Sequence, residues 1–181
     1  MRAKQVLQRR SQEQIDSIKA THRAADTVIA AHFAGDLEQL APYGRLTVAY
    51  ALIMLGYNTL RQYLQPARAE RNFAFWVGLA INDKTTTTTV VTVAEDYGVL
   101  ADPARFQHMR RAGHGIILKH FSKQRILGCS LTDAAYALIV LAWKLIRQDQ
   151  PEISAKKIFA LLTTFAIKEV DASRARRAKL H

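Results

Sequence analysis

The chain has 181 residues, enough for one domain or two small lobes and for a core that needs no covalent staples. A hydrophobic fraction of 49% with 23% charged residues excludes wholesale disorder. The departure from the average is charge: 26 Lys and Arg stand against 15 Asp and Glu, a formal +11, which favours polyanionic partners, nucleic acid ahead of acidic lipid.

The N-terminal residues carry Arg2, Lys4, Arg9 and Arg10 with no apolar run behind Met1, so a secretory signal is not expected. A first helix is predicted over 12–33. The stretch "GDLEQLAPYG" reads as the loop that follows it. A central helix is predicted over 46–64, apolar nearly all round and therefore buried on several sides. A third helix follows over 67–82, with Pro66 near its start, where proline is preferred.

Residues 85–101 form a Thr/Val-rich connector. Thr92-x-x-Glu95 has the spacing of a capping box, and with Gly98 and the basic helix beyond it the stretch loosely resembles a helix-turn-helix. The β-prone Thr/Val run is equally readable as a short strand or an extended linker. Asp102–Pro103 is a good cap and first-turn pair for a helix over 102–121. The last two helices are predicted over 132–148 and 152–170, followed by an Arg-rich tail over 171–181, expected to be frayed or to continue the helix.

The second half of the chain rewrites the first. At an offset of 86, residues 48–83 align with 134–169 without a gap and with 13 of 36 positions identical. Average composition predicts roughly 2 to 4. "YALIMLGYNTLRQ" returns as "YALIVLAWKLIRQ". At an offset of 88, "RAADTVIAAHF" (23–33) aligns with "RAGHGIILKHF" (111–121). The expected fold is therefore all-α, a tandem duplication of a three-helix unit packed as a pseudo-two-fold helical bundle. Its parts are a first repeat over 1–84, the connector, a second repeat over 102–170 and the basic tail.

No catalytic constellation is evident. There is no Gly-rich phosphate loop, no nucleophile with a placed histidine and no carboxylate cluster suited to a metal, so no enzyme activity, cofactor or metal is expected. His108, His114 and His120 are six apart, which a helix would spread over different faces. Tyr50 and Tyr136 read as core aromatics. Arg61-Gln62 and Arg147-Gln148 recur at the ends of the central helices, where cations favour the helix dipole. Cys129 is the only cysteine, lies among apolar residues, and points to a reducing, cytoplasmic setting. The longest apolar run, 131–146, is interrupted by Asp133 and Lys144 and is too short for a membrane span.

Two basic segments are the candidate nucleic-acid contacts. Residues 103–132 hold Arg105, Arg110, Arg111, Lys119, Lys123 and Arg125 without a single Asp or Glu, and the tail holds Arg174, Arg176, Arg177 and Lys179. "LAWKLIRQD" (141–149) resembles the first-helix pattern of the D subunit of the bacterial flagellar master regulator, a helical transcription factor; the resemblance covers those nine residues and assigns no roles. The expected function is a non-catalytic DNA-binding regulator or accessory factor that contacts duplex phosphates. The alternatives are a helical adaptor or oligomerisation protein, with a protein partner or its own copy, and an RNA-binding subunit of a ribonucleoprotein.

Overall fold

A computed structural model describes residues 12–17, 19–20, 23–24, 27–82, 102–121, 130–148 and 150–180. Among the described residues all regular structure is helical. A π-helical turn, Ile29–Phe33, runs into the short helix α1 (Ala34–Gln39). Helices α2 (Arg45–Arg61) and α3 (Pro66–Asn82) follow. Then come α4 (Pro103–Ile116), a second π-helical turn (Ile117–Phe121), α5 (Leu131–Arg147) and α6 (Glu152–Ala178). The connector over 85–101, with its helix-turn-helix resemblance, lies outside the described residues, as does Cys129.

The caps follow local chemistry. The Asp102 carboxylate accepts the Ala104 and Arg105 amides at 2.9 and 3.4 Å, and Pro103 occupies the first turn of α4. The Ser130 hydroxyl accepts the Asp133 amide at 3.1 Å to open α5. One boundary differs from expectation. Part of the anticipated loop after Phe33 is helical as α1, a compact path that delivers Leu40 to a fully buried position. The tail takes the continued-helix course, with α6 running eight residues past 170 through Arg and Ala residues of good helix propensity.

Helices α2 and α5 form the centre and pack most extensively against each other. Thirteen of the 17 residues of α2 and twelve of the 17 of α5 are buried, so both are internal helices with no polar face. Around them α2 packs on α3, α4 and α6, while α5 packs on α3, α6 and the first π turn. The ring of Phe73 lies 5.1 Å from that of Tyr57, and the ring of Phe159 lies 5.3 Å from that of Trp143. Both phenylalanines are wholly inaccessible.

Gly56 sets the spacing of the central pair. A Cβ there would sit 3.1 Å from the Ala135 carbonyl oxygen and 3.4 Å from Ile139 Cγ1, and a backbone atom in a buried helix has little room to yield. Gly56→Ala is therefore expected to lower the thermal midpoint. The helix-propensity gain of about 1 kcal/mol is outweighed by overpacking of roughly 1–3 kcal/mol. Gly78→Ala is the control, because a Cβ at that position of α3 meets nothing within 4 Å.

Candidate functional site

Helix α6 buries Ala155, Phe159, Leu162, Ala166 and Val170, a stripe at helical spacing. The same stripe continues as Ser173, Arg174 and Arg177, so the inward face of the helix changes from apolar to cationic after Val170. At that point the face leaves the core and meets a groove of about 500 Å³ between α2, α4 and α6. Met54, Leu55, Ile117 and Val170 supply its apolar lining. Asn58, Gln62, His114, Ser173, Arg174 and Arg177 supply its polar groups.

Two carboxylates of α6 tie the surrounding helices together. Glu169 Oε2 accepts the Tyr50 hydroxyl of α2 at 2.6 Å and Arg110 Nε of α4 at 2.7 Å. Its Oε1 lies 2.7 Å from His114 Nε2. Burial works to raise the Glu169 pKa, but the hydrogen bonds from Tyr50, Arg110 and His114 outweigh it and hold the carboxyl below its usual range. On the same network, burial first and Glu169 second push the Tyr50 hydroxyl upward. Asp171 accepts the Tyr57 hydroxyl at 2.9 Å and Arg61 Nε at 2.6 Å. Arg61 Nη1 also donates to the Leu64 carbonyl at 2.8 Å, which satisfies an acceptor just beyond the end of α2.

The candidate phosphate contacts divide by position. Arg110 is half-buried and engaged by Glu169. Arg174 is half-buried and donates Nε and Nη2 to Asn58 Oδ1 at 3.1 and 2.9 Å, with Nη2 also 3.2 Å from the Asn58 carbonyl. Arg177 lines the groove beside it. Arg111, Lys119, Arg176 and Lys179 are exposed. Arg105 is exposed in the first turn of α4, nine residues before His114 and so roughly 13 Å along the helix axis from the groove. Lys123 and Arg125 lie outside the described residues.

The structure brings together the end of α4 and the end of α6, the two segments in which the sequence concentrates positive charge. Arg61 and Asp171 neutralise each other, as do Arg110 and Glu169. Arg174, Arg176, Arg177 and Lys179 then remain as excess positive charge. Helix C-termini carry only about −0.5 charge each, too little to cancel four cations. Burial lowers the Arg174 pKa most, and the charges of Arg61 and Arg177 lower it further against an opposing pull from Asp171.

Asn58, Glu169, Asp171 and the Tyr57 hydroxyl were not expected at the site. The one sequence signal for them is the stripe that turns polar at Ser173, since their partners lie 55 to 119 residues away. Among the described residues no cluster of three His, Cys, Asp or Glu could hold a metal ion, and no helix is long and apolar enough to cross a membrane. Compared with protein-family models, with curated proteins and with solved structures, the chain finds no match in any of the three.

Proposed function

We propose that the protein is a non-catalytic, cytoplasmic DNA-binding regulator or accessory factor that grips duplex phosphates with the basic end of its helical bundle. The observation that carries this reading is the convergence at the ends of α4 and α6, where Glu169 and Asp171 are engaged in ion pairs and Arg174, Arg176, Arg177 and Lys179 outnumber the carboxylates of α6 that remain. Such an array displaces condensed counterions from DNA, a gain that needs no base contact.

The duplicated, pseudo-two-fold architecture belongs to the same proposal, because two related units in one chain can address two related half-sites. Three observations support it. π-Helical turns are rare, well under 1% of residues, yet they occur at Ile29–Phe33 and Ile117–Phe121, 88 positions apart, the offset of the sequence repeat. The ring pairs Tyr57–Phe73 and Trp143–Phe159 occupy corresponding positions. The packing pattern is also preserved when the halves are exchanged: α2 packs on α6 as α5 packs on α3.

Fluorescence anisotropy with a labelled duplex across a salt series tests the function. Four to six phosphate contacts give a slope of log affinity on log salt of about −4 to −5, and Arg176→Gln with Lys179→Gln is expected to reduce it by about two. A flat salt response, or no binding at low salt, would end the proposal. A second reading, single-stranded RNA, has its own support. Tyr63 is 66% exposed just beyond Arg61 and Gln62, where a base could stack beside the cationic end. Displacement of duplex by single-stranded RNA at equal concentration would favour it.

A further inference from the structure

We propose that the groove between α2, α4 and α6 is a site of its own for a phosphate monoester, with Arg174 and Arg177 holding the phosphate. The proposal shares Arg174 and Arg177 with the duplex reading but does not rest on it, because it concerns the concave groove that those two line and that Arg176 and Lys179 do not.

Charge selects the ligand. With Arg61 matched to Asp171 and Arg110 to Glu169, the groove keeps a net excess of two cations, Arg174 and Arg177, among the described residues. A phosphate monoester carries about −1.5 to −2 at neutral pH and matches that pair, whereas each diester of a nucleic-acid backbone carries only one charge. The donors are placed in advance. Asn58 fixes the Arg174 guanidinium through Nε and Nη2, which leaves the Nη1 hydrogens for a ligand. Because Asn58 Oδ1 is the acceptor in that contact, its amide nitrogen is the group left to donate. Ser173 of α6 adds a hydroxyl to the lining, and His114 of α4, its Nε2 engaged by Glu169, adds Nδ1.

The remaining lining fits the rest of such a molecule. Met54, Leu55, Ile117 and Val170 offer apolar surface, and about 500 Å³ falls within the range of small-molecule sites and exceeds the needs of a bare phosphate ion. Burial first, and the charges of Arg61 and Arg177 after it, lower the Arg174 pKa, and a dianion beside the guanidinium offsets both. Two sources present this chemistry: a free nucleotide or sugar phosphate, and the terminal phosphate of a nucleic-acid strand.

Isothermal titration of the full chain with adenosine 5′-monophosphate, adenosine and inorganic phosphate tests the site. A parallel competition compares duplexes with and without 5′-phosphates. Saturable one-to-one binding of the monophosphate is expected, with adenosine at least about tenfold weaker, the loss that follows when charged hydrogen bonds are removed. Arg177→Gln is the decisive variant, because its exposed side chain can be replaced without disturbing the core, and it too should lose about tenfold. Arg176→Gln with Lys179→Gln should bind the monophosphate within about twofold of the parent, since neither lines the groove. A 5′-phosphate preference in the duplex, abolished by Arg177→Gln, with no binding of the free nucleotide, would assign the site to strand ends. Absence of both effects, or unchanged binding in Arg177→Gln, overturns the site. A flat salt response with monophosphate binding intact would remove the duplex reading and leave this one standing.

Discussion

Glu169→Ala is expected to cost about 3 kcal/mol of folding stability, read as a fall in the urea midpoint at neutral pH. The carboxylate is the only acceptor that joins Tyr50 of α2, Arg110 of α4 and His114 among their contacts in the described residues. Its side chain is 12% exposed and that of Arg110 is 24%, so water can compensate only partly for the lost partner. Removing one member of such a pair leaves the other charge desolvated and uncompensated, and here it also orphans a buried tyrosine hydroxyl. Single domains hold roughly 5–15 kcal/mol in all, so the loss is large but compatible with a folded variant. Glu169→Gln keeps an acceptor for the tyrosine and should retain part of the stability. Equal midpoints for parent and Glu169→Ala would mean that the network holds nothing together.

The same group sets an acid limit. Because the folded-state pKa of Glu169 is lowered, its contribution is complete above the unfolded carboxyl value of about 4.3 and is lost as pH falls through the folded value. The gap between parent and Glu169→Gln should therefore narrow below about pH 4. Tyr50 works in the opposite direction. Its pKa is raised, so its contribution is complete below about pH 10 and is lost as pH rises toward the folded value.

What the sequence revealed and what it concealed divide along local and non-local chemistry. The apolar runs around Tyr50 and Tyr136 marked two internal helices, and both residues are fully buried. Asp102–Pro103 and Pro66 marked helix starts because a cap acts within three or four residues. The interior hydrogen bonds left no such trace. Tyr50 meets Glu169 across 119 positions, Tyr57 meets Asp171 across 114, and Arg174 meets Asn58 across 116. No spacing rule connects residues so far apart, and Glu169 had meaning in the sequence only as the counterpart of Asp83. Charge counting made Arg110 and Arg174 resemble Arg176 and Lys179. Packing separates them, since the first two face inward and engage protein acceptors while the others meet solvent.

The largest core effects should come as a matched pair. Phe73→Ala and Phe159→Ala are each expected to cost about 3–5 kcal/mol, the cost of truncating a fully buried aromatic, part of it from the lost ring contact. Phe73 loses Tyr57 at 5.1 Å and Phe159 loses Trp143 at 5.3 Å, in corresponding positions of the two halves. The neighbours differ in one respect. The Tyr57 hydroxyl already donates to Asp171, whereas the buried Trp143 Nε1 finds no acceptor among the described residues. One N–H is too little to hold a water in an apolar cavity, which needs two to four polar partners, so both cavities stay dry. The two costs should therefore be similar, measured by chemical denaturation of both variants. The proposed duplication requires both costs to be large. If either variant loses less than about 1 kcal/mol, the two halves do not share a packing plan, and the half-site argument for DNA recognition loses its architectural support.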